Sequence, residues 1–136
     1  MTYPVLYILM RTDLASMNPG KAIAQGAHAS NQFMYEAIGT KNPVVKRLYK
    51  DWLEQGGKFG TTIVLDCESD YKIRILLDSL KENASDYISG IVLDSTYPVL
   101  DGKTMHHIPV YTCGYIFGHK DNASIQDILK KYPLYK

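Results

Sequence analysis

Residues 3–32 read YPVLYILMRTDLASMNPGKAIAQGAHASNQ, and this stretch decides the fold. Residues 3–10 form a continuous run of apolar and aromatic side chains, and a buried strand is expected over 3–11. The run ends in Arg11-Thr12-Asp13, and a second polar loop, Ser16-Met17-Asn18-Pro19-Gly20, follows. Asn18 can accept hydrogen bonds from free helical N–H groups, and Pro19 is pre-set for a first helical turn. A helix is therefore expected over 19–38, with Gly39 as its C-terminal cap. Lys21, Gln25 and His28 stand at i, i+4 and i+7, so at ~100° per residue they share one narrow stripe. A cation, an amide and an imidazole then point the same way from the end of a strand, where open α/β sheets commonly bind ligands. The opposite stripe, Ala22, Ile23, Gly26, Ala27, Ala29, Ser30, Phe33 and Met34, is made largely of small residues. It is expected to lie close against a sheet, with Gly26 tolerated for that approach.

The rest of the chain alternates in the same manner. Asn42-Pro43 opens a second helix with Val44, Val45, Leu48, Trp52 and Leu53 in helical period to about Gln55, closed by Gly56-Gly57. Residues 61–65, TTIVL, read as a β-branched strand, and Ser69 caps a helix carrying Ile73, Leu76, Leu77 and Leu80. Residues 88–94 and 110–117 read as two further strands joined by a long connection. Asn122 or Ser124 opens a short last helix with Ile125, Ile128 and Leu129. Strands alternating with helices predict an α/β sandwich, and the lack of a helix between the last two strands predicts a mixed sheet.

Composition sets the outer bounds. With 136 residues, 46% hydrophobic and 21% charged, the chain reads as one globular domain over 1–136. It has no apolar run long enough for a membrane span and no signal-peptide pattern at its start. Two cysteines, Cys67 and Cys113, give neither a disulfide framework nor zinc spacing, so a cytoplasmic, reducing setting is expected. A net charge of +1 decides nothing about nucleic acid. Lys41, Lys46, Arg47 and Lys50, with Lys130, Lys131 and Lys136, make a candidate phosphate-binding patch that a solvated surface would equally resemble. Several other chemistries are disfavoured. Lys21 is followed by Ala22, and the remaining phosphate-loop pattern is absent. Ser30 and Ser95 lack the nucleophile-elbow context. His106-His107 has no spaced metal-ligating partner and reads as loop, and Cys113 reads as a buried small hydrophobe.

The run RTDLASMNPGKAIAQGAHA resembles the signature of the archaeal and eukaryotic-type (type 2) peptidyl-tRNA hydrolases. The matching residues are Arg11, Thr12, Asp13, Leu14, Met17, Gly20, Lys21, Ala24, Gln25, His28 and Ala29. Residues 90–94, GIVLD, resemble the family's third strand, which ends in an aspartate. The resemblance implies a three-layer α/β sandwich, with a four-stranded mixed sheet and helices on both faces. It also implies a tRNA partner and hydrolysis of the ester of peptidyl-tRNA, with no cofactor and no metal.

On that resemblance Lys21 stabilises the developing oxyanion or a terminal phosphate, and Asp94 orients or deprotonates the attacking water. Gln25 and His28 contact substrate. Asp13 joins them as a binding residue, more as a partner to Lys21 than as a base. The family continues from its aspartate as D-A-G-x-T-Q, whereas here Asp94 is followed by Ser95-Thr96-Tyr97-Pro98-Val99. The threonine position is Pro98. Thr96 is the expected replacement hydroxyl, and Tyr97 the least favoured, because Pro98 restricts it and its long side chain is expected to point outward. The competing reading is a non-catalytic module that holds tRNA, a nucleotide or a protein on the same fold. A homodimer is left open.

Overall fold

The computed structural model describes residues 3–80 and 86–136. The elements follow as β1 (Pro4–Met10), α1 (Pro19–Gly39), α2 (Pro43–Leu53), β2 (Thr62–Asp66), α3 (Asp70–Ser79), β3 (Tyr87–Asp101), β4 (Thr104–His119) and α4 (Ala123–Leu129). The sheet is four-stranded in the order β2-β1-β4-β3. β1 runs parallel to β2 and antiparallel to β4, and β3 pairs antiparallel with β4. The sheet is mixed, as the absence of a crossover helix between β3 and β4 requires.

Two apolar clusters, one on each side of the sheet, hold the layers together. On one side Phe33, Ala29 and Ala37 of α1 and Leu48 and Trp52 of α2 pack on Leu6, Ile8, Tyr115 and Phe117. On the other side Ile73, Leu76 and Leu77 of α3 and Ile125 and Leu129 of α4 pack on Val5, Tyr7, Leu9 and Ile116. Alternate residues of β1 therefore feed opposite cores, and all seven are buried. This is why the strand reads as an unbroken apolar run.

Local chemistry starts each helix. The Asn18 side chain accepts from the Lys21 N–H at 2.8 Å, Ser69 accepts from Lys72, and Asn122, rather than Ser124, accepts from Ile125. At the other end of α1, Gly39 stays in the helix and Thr40 is the cap.

Two expectations about α1 and the sheet are corrected. First, the small-residue stripe is buried only in part: Ala22, Ala29 and Phe33 are buried as expected, but Ile23 and Ala27 are not. α1 buries Ala22, Gln25, Ala29, Phe33 and Ala37, while Ile23 is 75% exposed and Ala27 faces solvent. The sheet-facing residues recur at i, i+3 or i+4 from Ala22, which rotates the helix relative to the expected stripe. A side chain at Gly26 would meet nothing within 4 Å, so close packing does not explain that glycine. The close approaches lie elsewhere. A Cβ at Gly114 would sit 2.9 Å from Ile73 of α3, and one at Gly60, where φ is +76°, would overlap the Trp52 ring.

Second, residues 95–107 are not a loop. β3 and β4 continue as a two-stranded ribbon to a turn at Gly102, with pairs from Tyr97–Ile108 to Asp101–Thr104. β1 stops opposite Cys113, so the ribbon projects beyond it. His106 and His107 lie in β4, opposite Val99 and Pro98. The basic residues are also divided: α2 carries its cluster on one face of the sheet, and Lys130 and Lys131 follow α4 on the other.

Candidate active site at the end of β1

The site is built where β1 ends, the loop to α1 begins, and the ribbon departs. Arg11 anchors the loop. Its guanidinium donates to both Asp13 oxygens, at 2.7 and 2.9 Å, and to the Tyr111 carbonyl at 3.0 Å, with Asp70 at 3.7 Å. This forked pairing is the geometry arginine suits best. The Arg11 amide meanwhile donates to the Thr112 carbonyl at 3.4 Å. Asp13 is therefore the partner of Arg11, not of Lys21 as expected. Thr12 ties the same loop to β2 through Asp66, at 2.7 Å.

A β-bulge shapes the opposite wall. Val92 pairs with Cys113 and Leu93 with Tyr111, which leaves Thr112 as the extra residue of β4. Thr112 is fully buried, and its hydroxyl donates to Gln25 Oε1 at 2.6 Å. Gln25 is itself only 3% exposed, and its Nε2 donates to Asp94 Oδ2 at 2.7 Å. Thr112, Gln25 and Asp94 thus form one directed chain of hydrogen bonds. It fixes the Gln25 amide orientation, because the hydroxyl needs an acceptor on one side and the carboxylate a donor on the other. Gln25 was expected to reach out to substrate from a polar stripe. It instead spends its amide holding Asp94 from inside.

Asp94 keeps its second oxygen toward Thr96, whose backbone N–H donates at 3.0 Å. The Gln25 donor holds the carboxyl below its ordinary value of 3.8, with the Thr96 N–H and the nearby His28 adding to the effect against a modest cost of burial. The carboxylate is accordingly ionised at neutral pH. Thr96 is exposed and its side chain also favours the charged form of Asp94. His28 is exposed, and with Asn31, Asp94 and Ser95 it lines an open concavity of about 260 Å³ between α1 and β3.

Lys21 lies one helical turn before Gln25. Its ammonium donates to the Pro98 carbonyl at 3.4 Å and sits 5.3 Å from the centre of the Tyr97 ring. Asp94 engages Gln25 and Thr96, while Lys21 engages Pro98 and the Tyr97 ring. Tyr97, expected to point outward, is fully buried, and its hydroxyl shares a hydrogen bond with Ser16 Oγ at 3.0 Å.

Hydrogen bonds thus bring Thr112, Gln25, Asp94 and the Thr96 backbone together, and His28 lines the concavity beside Asp94. Lys21 stands one helical turn before Gln25, against Tyr97 and Pro98, while Asp13 pairs with Arg11. Thr112 is a neighbour of the site that sequence reading missed, and Tyr97 is one that it weighed but expected to point outward. A buried threonine inside an apolar strand was the available signal for the first. The second depends on the ribbon's register, which the sequence does not display.

The profile of the peptidyl-tRNA hydrolase PTH2 family matches residues 4–135. The chain belongs to that family. No curated protein matches the sequence. The family match spans every element described above, including the ribbon. Among the described residues no group of three or more His, Cys, Asp or Glu side chains is placed to hold a metal ion, and no helix is long and apolar enough to cross a membrane. Cys67 and Cys113 are buried, and burial pushes both thiols up to about 12, which leaves them protonated and poor nucleophiles.

Proposed function

We propose that the protein hydrolyses the ester bond of peptidyl-tRNA, releasing peptide and tRNA. The observation that carries this reading is the Thr112–Gln25–Asp94 chain ending in an ionised carboxylate, with Lys21 one helical turn before Gln25 on the same helix. Ester hydrolysis requires an oriented water, a counter-charge for the carbonyl oxygen as the tetrahedral intermediate forms, and a proton for the departing ribose oxygen. Lys21 supplies the positive charge, either on that oxygen or on a terminal phosphate.

Asp94 accepts a hydrogen bond from the attacking water. Its lowered pKa makes it a weak base, so its main work is to orient the water and to favour the positive charge that the water develops during attack. Water adds to the carbonyl carbon, the bond to the ribose oxygen breaks, and the proton lost by the water balances the one gained by the ribose hydroxyl. His28, exposed on the rim beside Asp94, contacts substrate. Thr96 offers its hydroxyl next to the carboxylate in place of the family's threonine. Asp13 acts on substrate indirectly, by fixing Arg11 and the loop that precedes α1. The setting is cytoplasmic, and the partner is tRNA.

The test is turnover of a defined N-blocked aminoacyl-tRNA by the wild type and by Lys21→Ala. The variant is expected to fold normally, because alanine suits a helix, and to lose roughly two orders of magnitude in rate. Unchanged turnover in a folded variant removes Lys21 from the mechanism. A wild type that binds tRNA with a steep salt dependence yet cleaves no ester establishes the binding module instead.

A further inference from the structure

The register of the ribbon makes a second matched pair beside Gln25 and Asp94. On β3, Asp94 pairs with Val110 and Tyr97 with Ile108, so three steps on one strand answer two on the other. Without that irregularity, residues three apart on a strand face opposite sides. With it, both Asp94 and Tyr97 turn toward α1, where Gln25 and Lys21 are four apart and share a face. Gln25 meets Asp94, and Lys21 meets Tyr97.

The contacts around Tyr97 are those of a seat. The ring is wholly buried, although Ser95 and Thr96 just before it are exposed. Its hydroxyl is shared with Ser16 Oγ at 3.0 Å and lies 3.9 Å from Met17 Sδ, which fixes the ring against the loop leading into α1. The Lys21 ammonium stands 5.3 Å from the ring centre and is held from the side by the Pro98 carbonyl at 3.4 Å. A lysine stem is flexible and its ammonium is a point charge without built-in direction, so something must aim it. An aromatic ring attracts a cation while leaving its hydrogen-bond donors free. A carboxylate in the same place would compete with the developing oxyanion for those donors.

The geometry points to Tyr97 as a positioning residue that seats the Lys21 ammonium, with the Pro98 carbonyl as the second support. It rests on the hydrolase reading above and deepens it. In this chain the segment that replaces the family's D-A-G-x-T-Q continuation holds the catalytic cation. Ser16 is the lock that keeps the ring in place.

The experiment compares wild type, Tyr97→Leu, Tyr97→Phe and Ser16→Ala in two readouts. The first is kcat and KM on a defined N-blocked aminoacyl-tRNA. The second is the NMR shift of the Lys21 side-chain methylene next to the ammonium, measured on the protein alone, which a ring underneath moves upfield. Tyr97→Leu is expected to abolish the upfield shift and to lower kcat by roughly tenfold or more with KM changed less than about threefold. Tyr97→Phe keeps the ring and is expected to retain the shift and most of kcat. Ser16→Ala removes the same hydrogen bond as Tyr97→Phe while keeping the ring, and is expected to behave like it; a Ser16→Ala that lost as much kcat as Tyr97→Leu would overturn the seat.

A folded Tyr97→Leu with wild-type kcat overturns the proposal, as does a Tyr97→Phe that loses as much kcat as a tenfold drop. If Tyr97→Leu fails to fold, the wild-type shift and the Tyr97→Phe kinetics still decide, and an unshifted Lys21 in the wild type overturns the seat. An upfield-shifted Lys21 in a wild type that cleaves no ester preserves the seat and removes the hydrolase reading, so the two failures are distinguishable.

Discussion

The two walls of the site are specified in different ways. The wall made of the Arg11–Asp13 loop and α1 is written locally: Asn18 caps the helix, Pro19 sets its first turn, and helical spacing puts Lys21 and Gln25 on one face. The wall made of β3 and β4 is written by pairing register. Irregularities between Val92 and Leu93 and between Asp94 and Tyr97 decide which of its side chains face α1. A helix fixes side-chain direction by its own hydrogen bonds. A strand's facing depends on its partner, and one extra residue reverses it. Chemistry on the first wall is therefore robust to substitution nearby, and chemistry on the second is sensitive to it.

The largest effect expected on either wall is at Asp94. Asp94→Asn should lower turnover by about two to four orders of magnitude while tRNA affinity stays within a few fold, read by single-turnover kinetics and by binding at fixed salt. Because asparagine keeps the shape but not the charge, a small effect would mean that the strand wall is only a scaffold.

Gln25 joins the two walls. Gln25→Leu leaves the Thr112 hydroxyl buried without its acceptor, at a cost of about 1–3 kcal/mol in a thermal melt. It also removes the main cause of the low Asp94 pKa, so the acidic limb of the pH–rate profile should move to higher pH. The same shift has a sign in stability. Asp94 has a folded pKa below its ordinary 3.8, so its contribution is fully present above that value and is lost as pH falls through the folded pKa. Gln25→Leu should therefore weaken the acid dependence of stability as well. An unmoved acidic limb would show that Asp94 does not set it.

The packing of the walls is tested at two glycines. Gly114→Ala forces a Cβ to within 2.9 Å of Ile73 and should destabilise by about 1–3 kcal/mol. Gly26→Ala enters open space in a helix and should stabilise by up to about 1 kcal/mol. The reverse order in thermal melts would mean that the helix is rotated from its described position. The smallest effect is expected at Thr96. Thr96→Val keeps the backbone N–H on Asp94 and removes only the exposed hydroxyl, so turnover should fall by roughly three- to tenfold. A loss as large as that of Asp94→Asn would raise the threonine to an equal role.

Much of this was legible in the chain. The alternation of elements gave the mixed α/β sheet, and the caps Asn18, Ser69 and Asn122 lie where the helices start. The stretch from Arg11 to Ala29 carried the family assignment, which its profile extends over residues 4–135. The misreadings share one cause. The small residues Gly26 and Ala27 suggested a sheet-facing stripe, and Gln25 a solvent-facing one, because residue type was used to infer burial. A glutamine is buried readily once both ends of its amide are satisfied, as Thr112 and Asp94 do here. Likewise residues 95–107, with the paired histidines, read as a long connection between two strands. Proline and a positive-φ glycine fit a projecting two-stranded ribbon equally well, because its free edge requires no N–H from Pro98 and its turn favours Gly102.

By itself, the sequence determined the order of the elements, the caps that start the helices and the spacing of Lys21, Gln25 and His28, since each follows from interactions between residues a few positions apart. Only the tertiary structure decided that Thr112 reaches Gln25, that Gln25 holds Asp94, and that Tyr97 lies beneath Lys21. Those contacts join residues 69 to 87 positions apart. Their geometry is set by strand register and by the packing of α1 on the sheet, and neither is a property of any local stretch of chain.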